Sequence, residues 1–115
     1  MRFMFDAIFY FVSDLDRAVS FYRDVLGFKF HSQDYVARFY VGDVLFELVP
    51  TSDSSKLQGN GNARLCLQVE DIHASILELR TKGVATQDAE RRQNGIFASF
   101  HDPDGNELYL WQYAR

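Results

Sequence analysis

Glu47 is the residue on which any acid-base chemistry in this chain would turn. It is the acid inside an otherwise apolar strand, residues 44–49. Strand alternation puts two arginines, Arg38 and Arg64, on its face. If either guanidinium reaches the carboxylate, the acid stays ionised and serves structure or ligand recognition. If neither does, burial would raise its pKa and make Glu47 a general base. Cys66 is the lone cysteine and sits two residues from Arg64. A reactive thiol needs such electropositive surroundings. A single buried cysteine more commonly packs as a small hydrophobe. The three histidines are dispersed: His31 ends a strand, His73 falls inside a helix and His101 sits at a turn. There is no Ser-His-Asp arrangement, phosphate-binding glycine loop or dinucleotide fingerprint.

The elements that must position these groups can be read from periodicity. Residues 7–12 form a short aromatic run that reads as a strand. Ser13 with Asp16 three residues on resembles a capping box opening a first helix. Leu15, Ala18, Val19, Tyr22, Val25 and Leu26 recur at helical spacing, and Gly27 stands where a C-terminal cap belongs. Residues 28–31, 35–41 and 44–49 read as strands, the last two joined by the hairpin signal Gly42-Asp43. A second helix starts at Glu70-Asp71, with Ile72, Ile76, Leu77 and Leu79 as its apolar side and Gly83 closing it. Residues 64–69, 96–100 and 107–113 read as strands, and residues 84–86 as a weak one. The run Asp102-Pro103-Asp104-Gly105-Asn106 is strong turn chemistry.

The pattern occurs twice. Val12-Ser13-Asp14-Leu15 overlays Val69-Glu70-Asp71-Ile72, and Gly27 overlays Gly83. Residues 1–50 form a first module of strand, helix and three strands. Residues 64–115 form a second, and residues 51–63 a polar linker containing the flexible run Gly59-Asn60-Gly61-Asn62. The expected fold class is α+β in one domain spanning residues 1–115, since neither half should bury its sheet alone.

Composition bounds the partners. Of 115 residues, 47% are hydrophobic, with eleven Phe, six Tyr and one Trp. Mean hydropathy is -0.22, which reads as a soluble globular protein. No apolar run approaches the roughly 18 residues a membrane span needs. The first residues lack a signal-peptide core. One cysteine excludes an internal disulfide and suits a reducing compartment, so the expected location is cytoplasmic. A net charge of -4 argues against nucleic acid.

The segment Asp-Leu-Asp-Arg-Ala-Val-Ser-Phe-Tyr-Arg-Asp-Val-Leu-Gly-Phe (residues 14–28) and the Asp-Pro-Asp-Gly-Asn turn (residues 102–106) resemble the vicinal oxygen chelate superfamily. That superfamily includes glyoxalase I, extradiol dioxygenases, fosfomycin-resistance transferases and bleomycin-binding proteins. The resemblance implies two βαβββ modules with mixed sheets curving around a cavity, helices on the outer face, and a homodimer. The four ligand positions of the family's metal enzymes correspond to Ala7, Glu47, Arg64 and Tyr109. Of these, Glu47 alone could ligate in the usual way. No metal and no other cofactor is therefore expected.

Alternation then lists what shares a face with those positions. Strand one contributes Phe9 and Phe11. Across the Gly42-Asp43 hairpin, Arg38 pairs with Glu47 and Tyr40 with Leu45. The second module contributes Arg64, Cys66, Gln68, Phe97, Ser99, Glu107, Tyr109 and Trp111. Aromatic walls with a few polar groups describe a small-molecule pocket, and stacking favours a flat ligand. The same rings could instead fill a closed core or a dimer interface. The leading expectation is a metal-independent binding protein of the bleomycin-resistance type. It would sequester an aromatic or peptide-like compound, such as an antibiotic. The alternatives are a glyoxalase I-like lyase or isomerase, or a dioxygenase relative, using Glu47, and an interaction protein with a self-filled cavity.

Overall fold

The computed structural model describes residues 1–59 and 61–114. Asn60, within the run read as a flexible linker, and Arg115, at the end of the second module, lie outside the described residues. The chain divides into two compact units, Met1–Leu57 and Gln58–Arg115.

In the first unit, β1 (Ile8–Val12), β2 (Lys29–Gln33), β3 (Ala37–Val41) and β4 (Val44–Pro50) form one sheet in the order β1-β4-β3-β2. β1 runs parallel to β4, and the other pairs are antiparallel. Alternation sorts the sheet into two faces. Tyr10, Val12, Ala37, Phe39, Phe46 and Leu48 are buried on one. The helix α1 (Leu15–Ser20) and a π-helical turn, Phe21–Val25, supply Ala18, Val19, Phe21 and Tyr22 to the same core. Tyr22 is its hub, with ring centroids 4.9 Å from Phe46, 5.5 Å from Phe28 and 6.3 Å from Phe39.

The ends of α1 are set by local chemistry. The N-cap is Asp14, not Ser13: the Asp14 carboxylate accepts the Arg17 N–H at 3.0 Å. Ser13 Oγ accepts from the Arg17 guanidinium instead. The expected box is thus one residue out of register, because the acid itself reaches the third helical amide. At the other end Leu26 N–H donates to Phe21 O, the spacing of a π turn. Gly27 then turns the chain at φ 75°, in the left-handed region that glycine tolerates.

In the second unit, β5 (Leu65–Gln68), β6 (Glu90–Arg92), β7 (Gly95–His101) and β8 (Glu107–Tyr113) form a sheet in the order β5-β8-β7-β6. β5 is parallel to β8 and the remaining pairs are antiparallel, so both units carry the same mixed topology. The helix α2 (Ile72–Thr81) packs Ile72, Ile76 and Leu79 against β7 and β8, where Ala98, Phe100, Leu108 and Leu110 are buried. Asp71 caps α2 through the Ala74 amide, and Gln112 Oε1 accepts the Ile72 N–H at 2.7 Å. The helix closes with Gly83 N–H on Arg80 O and Val84 N–H on Leu79 O, a Schellman pair.

Two expectations for this unit are corrected. Leu77 is not on the buried side of α2; it is 67% exposed, because position 77 is turned away from the 72-76-79 stripe. Residues 84–86 form no strand, and Thr86 makes a single bridge to Phe100. The second strand of the unit in chain order is β6, whose Glu-Arg-Arg sequence carries no apolar alternation. It is held by its pairing with β7 across the two-residue turn Gln93-Asn94, where Asn94 takes φ 74°. Among the described residues no helix is long and apolar enough to cross a membrane.

Candidate functional site

Each sheet buries one face under its helix and turns the other away from it, and the candidate side chains stand on this second face. In the first unit a register row runs Phe9, Glu47, Arg38 and Ser32 across four strands. The Arg38 Nε lies 3.4 Å from Glu47 Oε2, and its Nη1 lies 3.2 Å from Asp34 Oδ2. Within the first unit, then, Glu47 is paired to Arg38. Asp34 was missed by alternation because it lies in the loop before β3. Its own carboxyl is held below the ordinary aspartate range, first by the Val36 N–H at 3.0 Å and then by Arg38.

Rings frame this row. Phe9 is 49% exposed and meets Phe11 edge-on at 5.3 Å. Lys56, from the 3-10 turn Ser54–Lys56, places its ammonium 5.0 Å from the Phe11 centroid. Tyr40 is exposed and meets His31 edge-on at 5.3 Å. Neither Lys56 nor this use of His31 is visible in strand periodicity.

In the second unit the corresponding row is Cys66, Tyr109 and Ser99. The Tyr109 ring stacks on Phe97 with centroids 5.3 Å apart and an interplanar angle of 24°. The Arg92 guanidinium sits 4.7 Å over Phe97 and is paired to Glu90 at 2.7 Å. Trp111 is half-buried and meets Tyr113 edge-on at 5.6 Å. Arg64 is engaged by Glu107 and by the carbonyls of Gly61 and Ala63, at the mouth of β5.

The remaining positions differ in their access to solvent. Ser99 is buried, and its hydroxyl bonds Gln87 Oε1 at 3.0 Å. The segment carrying Gln87 covers it, through Gln87 N–H on Ser99 O. Gln68 and Cys66 are exposed. Although Cys66 reaches solvent, its neighbours desolvate the thiol enough to raise its pKa. That is the opposite of what a nucleophilic thiolate requires.

A pair of mixed four-stranded βαβββ sheets, each with one aromatic-rich face, defines an α+β protein of the glyoxalase-like class. The sequence profile of the Glyoxalase/Bleomycin resistance protein/Dioxygenase superfamily matches residues 4–110, and the chain belongs to that superfamily. A probable lactoylglutathione lyase of Synechocystis sp. is 30% identical, over 88% of this chain and 88% of its own. Among solved structures, TnmS3, an antibiotic-binding protein from Streptomyces sp. CB03234, is 24% identical with a TM-score of 0.79, over 99% of this chain and 100% of that one. The fosfomycin resistance protein FosX from Listeria monocytogenes is 16% identical with a TM-score of 0.82, over 99% and 96%.

The four positions that the resemblance aligns with metal ligands carry a poor donor set. Ala7 has no donor. Glu47 lies against a guanidinium, which would repel a cation. Arg64 is itself cationic, and Tyr109 is a phenol stacked on Phe97. Among the described residues no three His, Cys, Asp or Glu side chains converge. These residues do not fit a divalent ion.

Proposed function

We propose that this chain is a metal-independent binding protein that sequesters a flat, aromatic or peptide-like small molecule, antibiotics among them. The observation that carries this reading is Tyr109 stacked on Phe97. A ring pair stands where the metal enzymes of the family would need a carboxylate. The Arg38–Glu47 pair supports it, since a carboxylate and a guanidinium held against each other on an aromatic face are placed polar anchors for a ligand. The fold shared with TnmS3 is compatible with such a ligand; the side chains carry the argument. We place the protein in the cytoplasm as a homodimer.

The test is thermal unfolding, after chelation, against a panel of planar antibiotics. A ligand at about 100 times its Kd adds about 2.7 kcal/mol of stability. A panel without any shift removes the reading. The second reading is a lyase, isomerase or dioxygenase relative with Glu47 as base. The 30% identity to a probable lactoylglutathione lyase favours it. Stoichiometric metal in the purified protein, with turnover lost on Glu47→Gln, would establish it.

A further inference from the structure

The second-unit face holds a feature that periodicity does not explain. Gly95 is buried, yet its φ is not in the left-handed region, so the backbone itself does not demand glycine. The demand comes from its neighbours. A Cβ at position 95 would stand 2.5 Å from Trp111 Cζ2 and 2.8 Å from Cη2, and closer still to the Gln112 carbonyl oxygen. Gly95 pairs with Tyr113, and Phe97 with Trp111. The indole of Trp111 therefore leans diagonally along the strand pair, and its benzo edge rests on the Gly95 backbone. Trp111 stands on the same face as the Phe97–Tyr109 stack, as the register partner of Phe97, with its ring edge-on to Tyr113.

We infer that Gly95 is a specificity-determining position: it seats the Trp111 indole low against β7, so that the indole face, beside the Phe97–Tyr109 stack, is a platform for a flat, conjugated ring system. The inference rests on the binding function proposed above and adds where the ligand lies and what sets its shape. A side chain at 95 meets both the Gln112 carbonyl and the indole, and the indole, as the side chain of the two, yields by rising into the space over the platform. A wide flat ligand then loses its stacking area, while a compact ligand that does not use the platform is unaffected.

Trp111 is the one tryptophan of the chain, so its emission reports the platform directly. The probes are two flat tricyclics of opposite charge, acridine orange and anthraquinone sulfonate, with the globular amine amantadine for comparison. Calorimetry detects binding anywhere; quenching of Trp111 detects binding at the platform. The expected result is that a flat probe quenches Trp111 along its calorimetric isotherm. Trp111→Leu and Gly95→Ala should each weaken that probe about tenfold, the order of one lost aromatic contact. Gly95→Ala should add no further loss in the Trp111→Leu background.

Calorimetric binding that leaves Trp111 emission unmoved, with the same affinity in Trp111→Leu, overturns the platform and leaves the binding function standing. No calorimetric binding by any flat probe overturns both. Should Gly95→Ala not fold, Gly95→Ala/Trp111→Leu decides. It folds if the indole is what the glycine accommodates. If it also fails, the glycine serves the Gln112 contact and its specificity role is overturned.

Discussion

Arg38 and Glu47 face each other across β3 and β4 with Nε 3.4 Å from Oε2, and Asp34 shares the same guanidinium at 3.2 Å. The side chains are 27% and 21% exposed, so water reaches both ends of the pair. A fully buried pair costs about 3–5 kcal/mol to break, and an exposed one about 0.2–1. This pair lies between. Glu47→Gln should lower stability by about 1–2 kcal/mol in urea unfolding at low salt, and less at high salt. A loss near that of a fully buried pair would mean that the carboxylate is drier than its exposure indicates.

Asp34 gives the corresponding pH prediction. The Val36 N–H and then Arg38 favour its charged form, so its folded pKa is depressed. A depressed carboxyl contributes stability that is present above the unfolded pKa and lost as pH falls through the folded one. An NMR titration should therefore find Asp34 titrating below free aspartate. In Arg38→Met the midpoint should rise only part of the way, because the backbone amide remains. A full return to the free value would make Arg38 the main cause.

The thiol of Cys66 should behave as a protonated, slow nucleophile at neutral pH. Desolvation raises its pKa, so the thiolate fraction grows only as pH climbs beyond the usual thiol range. Alkylation by iodoacetamide should be slower than for a free thiol at neutral pH and still be rising where the free thiol has levelled off. Fast, pH-independent alkylation near neutrality would show a thiolate that the surroundings here do not provide.

The elements that sequence made legible are those whose signals are local. Gly27 and Gly83 end their helices, Gly42-Asp43 makes its hairpin, and period-two alternation separates Phe46 and Leu48 from Glu47. β6 was not legible, because Glu90–Arg92 is a strand by virtue of its partner and not of its composition. The same limit applies at the site. Alternation places rings and charges on a face, but partner choice depends on loops. Asp34 joins Arg38 from outside any strand, Gln87 covers Ser99, and the carbonyls of Gly61 and Ala63 hold Arg64 beside Glu107.

Neighbouring residues on α2 turn that contrast into a measurement. Ile76 is buried and Leu77 is exposed, one step apart in sequence. Ile76→Ala should cost about 2–4 kcal/mol, as a core deletion leaves a cavity. Leu77→Ala should stay within about 0.5 kcal/mol in the same denaturant assay. Equal losses would mean that Leu77 is covered in solution by something other than its own unit.

The turn before β8 depends on one carboxylate. Asp102 is 5% exposed. Its Oδ1 accepts the N–H groups of Asp104 and Asn106, and its Oδ2 accepts the Asn106 side-chain amide, each at 2.9 Å. Asp102 N–H returns a bond to Asn106 O, and Gly105 N–H donates to Asp102 O. The side chain thus supplies acceptors that the reversed backbone cannot. Hydrogen bonds to a charged group are worth about 1.5–3 kcal/mol each, and the amides left behind lose their partner in a place water barely reaches. Asp102→Ala should therefore lower stability by about 2–4 kcal/mol. Because the turn fixes where β8 begins, the variant should also disturb the register that sets Tyr109 beside Phe97, seen as a change in near-UV circular dichroism. Asp102→Asn keeps one acceptor oxygen and should recover part of the loss. An alanine variant with unchanged stability and unchanged aromatic dichroism would show that Pro103 and Gly105 shape the turn without the carboxylate.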